Sequence, residues 1–85
     1  MKIQRWIKTD DCLHNVANIV QIWTGDIEIT FSFVGNADIE VIDTKNANTS
    51  RYLMQNLEEF LNDNSPKSTN IFQLTTKDIE HAGEK

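Results

Sequence analysis

The sequence predicts an α+β fold: a three- to four-stranded antiparallel β-meander packed against one amphipathic α-helix, with a C-terminal arm. Three observations carry this. Ile27 to Phe33 alternates without a fault, with Ile27, Ile29, Phe31 and Phe33 on one side and Glu28, Thr30 and Ser32 on the other. Turn residues bracket that stretch, Gly25-Asp26 before it and Gly35-Asn36-Ala37-Asp38 after it. Further on, Leu53, Leu57, Phe60 and Leu61 recur at i, i+4, i+7 and i+8, the spacing of one helical face, with Met54 beside them.

Lys2 to Lys8 carries Ile3, Trp6 and Ile7 and reads as a first strand. Thr9-Asp10-Asp11 is a turn cluster, because these side chains bond nearby backbone groups, and Cys12 to Asn15 is short and irregular. Val16, Ile19, Val20, Ile22 and Trp23 fit either a helix face or a strand. Their β-branched character, the short length and the turn that follows favour a strand. Gly25 at the first central position suits a type II′ hairpin into the central strand, Ile27 to Phe33. Ile39-Glu40-Val41-Ile42-Asp43 then makes the third strand of a meander, with Ile39 and Val41 placed on its buried face.

Asn48, Thr49 and Ser50 are competent helix caps ahead of a helix from Arg51 to Asp63, which ends at Asn62-Asp63-Asn64-Ser65-Pro66. Ile71-Phe72-Gln73-Leu74 reads as a short extra strand or as an arm that packs on a partner. Thr75 and Asp78 have capping-box spacing for a short helix through His81, and Ala82 to Lys85 is loose. The organisation expected is one domain over residues 1–65 with an arm over residues 66–85. Its core would be drawn from Ile3 or Trp6, Val20, Ile22, Ile27, Ile29, Phe31, Phe33, Ile39, Val41, Leu53, Leu57, Phe60 and Leu61.

Eighty-five residues hold one thin core. A net charge of −5 disfavours a nucleic-acid backbone or an anionic membrane surface as partner. The eight basic residues are scattered singly, apart from a weak strip at Lys2, Arg5 and Lys8 beside Trp6. One cysteine, Cys12, leaves the fold without an internal disulfide. The absence of an apolar leader or spanning run gives a cytoplasmic expectation.

Chemistry-bearing motifs are sparse. Cys12 and His14 lie two apart, as a thiol–imidazole pair or two metal ligands would, but further ligands at metal-site spacing are missing, as is a glycine-rich or elbow motif. Asp10-Asp11 reads as turn chemistry and Glu58-Glu59 as a solvated helix face. Trp6 and Trp23 read either as core residues or, since they combine large apolar area with an N–H, as interface anchors. If Val20 and Ile22 are buried, alternation sets Trp23 on the polar sheet face near Thr30, Ser32 and Ile42. The expectation is therefore a non-enzymatic protein-interaction or regulatory module that needs no cofactor and binds a protein partner or its own copy. Its candidate contact residues are Trp6, Trp23, Thr30, Ile42, Ile71, Phe72 and Leu74. The alternative is a small metal- or thiol-dependent protein using Cys12 and His14.

Overall fold

A computed structural model describes residues 4–35, 39–63 and 70–84. The chain runs β1 (Trp6–Lys8), β2 (Leu13–Asn15), a 3-10 turn (Val16–Asn18), β3 (Ile19–Thr24), β4 (Glu28–Phe33), β5 (Ile39–Asp43), α1 (Ala47–Asn62), β6 (Ile71–Gln73) and α2 (Thr76–Gly83). The fold is α+β, and the expected meander is present as the antiparallel sheet β3-β4-β5. Beside it stands a second three-stranded sheet, β2-β1-β6, which local sequence signals did not define.

Within the meander the register decides which side chains are buried. Ile29 lies opposite Ile42 and Phe31 opposite Glu40 on the inner face, while Thr30 lies opposite Val41 and Ser32 opposite Ile39 on the outer face. Directly opposed residues share a face, so Ile42 packs against the core, and Ile39 and Val41 point outward, 52% and 49% exposed. This reverses the expected placement of β5, whose two faces both carry apolar residues. Val20, also expected in the core, is 65% exposed. A bulge between Ile19 and Gln21 shifts the register by one, so that Ile19 and Ile22 both pack inward and Val20 is the extra outward residue.

Ile27 departs from the expectation as well. Strand pairing begins at Glu28, and Ile27 sits in the connecting loop, 54% exposed. Gly25 closes that loop by donating its N–H to the Glu28 carbonyl at 2.8 Å. It has no positive φ, so the type II′ turn is not formed; among the described residues only Lys45 and Gly35 have one. Asn36, Ala37 and Asp38 of the next expected turn, and Ile3 of the expected core, lie outside the described residues.

The first sheet is built from both ends of the described chain. The Thr9 N–H donates to the Cys12 carbonyl at 2.9 Å, reversing the chain so that Leu13–Asn15, expected to be irregular, pairs antiparallel with β1. On the other side β6 pairs parallel with β1, Trp6 against Ile71 and Lys8 against Gln73. Parallel neighbours so distant in sequence leave no local signature. Of the two readings of Ile71–Leu74, the short extra strand is the one formed, as β6, and the short helix expected after it is α2, packed on α1.

Both helices have identifiable starts. Asn46 caps α1, its Oδ1 accepting the Thr49 N–H at 2.8 Å, so the helix begins at Ala47 and not after Ser50. Thr49 and Ser50 are consequently buried helical residues, and the Ser50 and Thr44 hydroxyls hydrogen-bond each other where β5 meets α1. The helix ends at Asn62, with Asp63 extended beyond it. For α2 the expected capping box is formed. Thr75 Oγ1 accepts the Asp78 N–H at 3.3 Å, and Asp78 Oδ2 accepts the Thr75 N–H at 3.0 Å.

The core lies where the sheets and helices meet: Ile7, Ile29, Phe31, Leu53, Leu57, Leu74 and Ile79 are buried together. Ile22, Phe33, Phe60 and Leu61 pack partly buried around them, as expected of core-facing positions. Ile7, Leu74 and Ile79 enter it because the first sheet and α2 close over the meander. Leu74→Ala should destabilise the protein by about 3 kcal/mol, close to the effect of Leu57→Ala. Denaturant unfolding checks this, and a loss under about 1 kcal/mol would mean that β6 is peripheral to the core.

Candidate interaction surface

The outer face of the meander gathers four of the exposed large apolar residues, Val20, Trp23, Ile39 and Val41. Its middle is built from Val20, Gln21 and Trp23 of β3, Thr30 and Ser32 of β4, and Ile39 and Val41 of β5. Trp23 stands directly opposite Thr30, as alternation in the sequence had indicated, and is 39% exposed. Thr30 has Trp23 on one side and Val41 on the other, and these neighbours leave it buried although it lies on the outward side of the sheet. Tryptophan and β-branched side chains around a short polar row give a flat contact surface of low rotamer freedom.

Charge is confined to one end of this face. Glu28 and Asp43 are exposed neighbours across β4 and β5, and the outward pairs Thr30–Val41 and Ser32–Ile39 carry no ionisable group.

The other expected contact residues are dispersed. Ile42 lies on the inner face and packs on the core, which removes it from the Trp23 surface. Leu74 is fully buried, and Phe72 packs its ring against Phe60 at 5.5 Å between centroids, because β6 is a strand of the first sheet. Trp6 and Ile71, opposite each other in that sheet, are half-buried. The fold thus brings Trp23 and Thr30 together and separates them from the rest. The residues that sequence reasoning missed here, Val20, Ile39 and Val41, had been assigned to the core; the parity break between Ile19 and Ile22 was the available signal of a bulge.

Cys12 and His14 sit in different surroundings. Cys12 is exposed, whereas the His14 ring stacks on Phe33 at 5.0 Å between centroids, at the junction of the two sheets. His14 Nε2 is buried without a hydrogen-bond partner and stands 3.9 Å from Glu40 Oε1. Among the described residues no three His, Cys, Asp or Glu side chains cluster as a metal site would require. Of the basic strip, Arg5 donates a guanidinium N–H to the Asp63 carbonyl and Lys8 is exposed. No described helix is long and apolar enough to cross a membrane.

No protein-family model, curated protein or solved structure matches this chain.

Asp10 ties the β1–β2 turn to α2. Its Oδ1 accepts the Thr76 N–H at 2.9 Å, and its Oδ2 accepts the Thr76 hydroxyl. The hydroxyl bond and then the backbone bond hold the Asp10 carboxyl below its ordinary value of 3.8. The folded state therefore favours the ionised form. The stabilisation is fully present above the unfolded-state value and is lost as pH falls through the lower folded value. In urea titrations, the stability gap between the wild type and Asp10→Asn should be constant above about pH 5 and shrink below about pH 4. A gap unchanged down to about pH 2 would remove Asp10 from the acid response.

Proposed function

We propose that this chain is a small non-enzymatic interaction or regulatory module that associates with a second copy of itself through the outer face of the meander. The observation that carries the reading is the charge pattern. Two chains of −5 repel, so a self-contact is favoured where ionisable groups are few, and the described ones on the Val20–Trp23–Thr30–Val41 face stand only at its Glu28–Asp43 end. A two-fold arrangement with the strands of the two copies running in opposite directions sets the Glu28–Asp43 end of one copy over the Val20–Gln21 end of the other. The carboxylates then stay apart and at the rim. The free, exposed Cys12 suits a reducing compartment such as the cytoplasm.

Size sets the strength of the association. Three strands about 4.8 Å apart and roughly 17–20 Å long present on the order of 250–300 Å² in projection. Standard interfaces bury about 800 Å² per partner. A dimer with a dissociation constant from micromolar upward, in rapid exchange with monomer, fits this area and suits a regulatory contact.

Light scattering across a concentration series up to about 1 mM should show monomer passing to dimer. Trp23→Ala should weaken dimerisation at least tenfold, and Ile39→Lys should abolish it, both variants still unfolding cooperatively because the replaced side chains are half exposed. A wild type that stays monomeric throughout, or two variants that dimerise like the wild type, would refute the proposal.

A further inference from the structure

From the free edge of β5 we infer a second binding site, distinct from the dimer face: a groove that accepts an extended basic peptide as an added strand. The groove encloses about 320 Å³. Glu40 to Asp43 of β5 form one wall, the Thr9–Asp11 turn and Thr76 the other, and the core residues Leu74 and Ile79 reach it from below. Four consecutive strand residues along one wall mean that the groove follows the backbone of the edge.

Hydrogen bonding shows which backbone groups are available. The Thr44 N–H donates to the Ile27 carbonyl at 2.7 Å, and Glu28 lies opposite Asp43. Ladder bonds alternate along an antiparallel pair, so Ile42 and Glu40 bond inward to β4. The N–H and C=O groups of Val41 and Asp43 then face the groove, where no other described group bonds them. An unpaired edge of this kind is a template for strand addition.

Charge selects the occupant. Asp10, Asp11, Glu40 and Asp43 line the groove against a single cation, Lys45. A second copy presenting the same edge would set these carboxylates against their equivalents, so β5-to-β5 pairing is opposed. An extended segment that alternates apolar residues with lysine or arginine meets both requirements. Its apolar side chains share the inner side with Ile42, Leu74 and Ile79, its basic ones the outer side with Asp43, and its backbone bonds Val41 and Asp43 in a groove of net negative charge.

The probe is a fluorescein-labelled peptide alternating lysine and valine over about seven residues, titrated with the full chain by fluorescence anisotropy at about 50 mM salt. It should bind, while a glutamate–valine peptide should bind at least about thirtyfold more weakly. The lysine–valine peptide N-methylated at alternate residues should lose at least about tenfold, because it cannot pair with the edge. The Val41 and Asp43 amides should gain hydrogen-exchange protection in the complex. Trp23→Ala should bind the peptide within about twofold of the wild type, which keeps this result separate from dimerisation. No binding of the lysine–valine peptide, or equal binding of its N-methylated form, would overturn the inference.

Discussion

The pairing of Ile29 with Ile42 is the constraint on which the rest of the molecule depends. It fixes the phase of β5, and with it the division of the meander into a face that seals the core and a face left to solvent. Sliding β5 by one residue would bring Ile39 and Val41 inward and turn Ile42 out. The alternative would bury a comparable number of apolar groups, so hydrophobicity alone does not choose between them. What chooses is the junction after the strand. The Thr44 N–H is committed to the Ile27 carbonyl, the Thr44 hydroxyl is bonded to Ser50 in the first turn of α1, and Lys45 takes a positive φ of 72° to join the two. A strand whose end is tied at one point to the chain entering β4 and at another to α1 is held against slipping.

That division also explains why the first sheet is needed. Ile29 and Phe31 are completely buried, yet α1 contributes only Leu53 and Leu57 to the core cluster as fully covered residues. The remaining cover comes from Ile7 in β1, Leu74 just beyond β6 and Ile79 in α2. His14 and Glu40 occupy the seam where the two sheets meet, and the Phe33 ring stacked beneath His14 keeps that seam largely apolar. Packing on the outer face would extend the meander away from this seam, whereas the β5 groove, walled by Glu40 and the Thr9–Asp11 turn, runs beside it.

Much of this was legible in the sequence where local chemistry determined the outcome. The alternation of Ile29, Phe31 and Phe33, the stripe of Leu53 and Leu57, and the Thr75–Asp78 capping box each needed only neighbours a few residues away. Trp23 opposite Thr30 was legible for the same reason. Placement failed where a non-local pairing decided it. Val20 depended on a bulge set against Phe33 and Ser32, Ile39 and Val41 on a register set by β4, and Leu74 on a parallel partner near the other end of the chain. The start of α1 was misplaced because several adjacent residues were competent caps and Asn46 took the role. The β5 groove was invisible for a further reason, since its walls come from segments that no local pattern connects.

The parallel pairing of β1 with β6 joins Trp6 to Ile71, residues about 65 positions apart. Loop closure over that length opposes early contact, so the hairpins of the meander are expected to form before the first sheet. On the ribosome, the apolar inner face of the meander would be covered only by α1 until Leu74 and Ile79 had emerged from the exit tunnel. During that interval the nascent chain would display part of the inner face as well as the outer one. For this protein, engagement by chaperones during synthesis is thus a matter of topology more than of overall hydrophobicity.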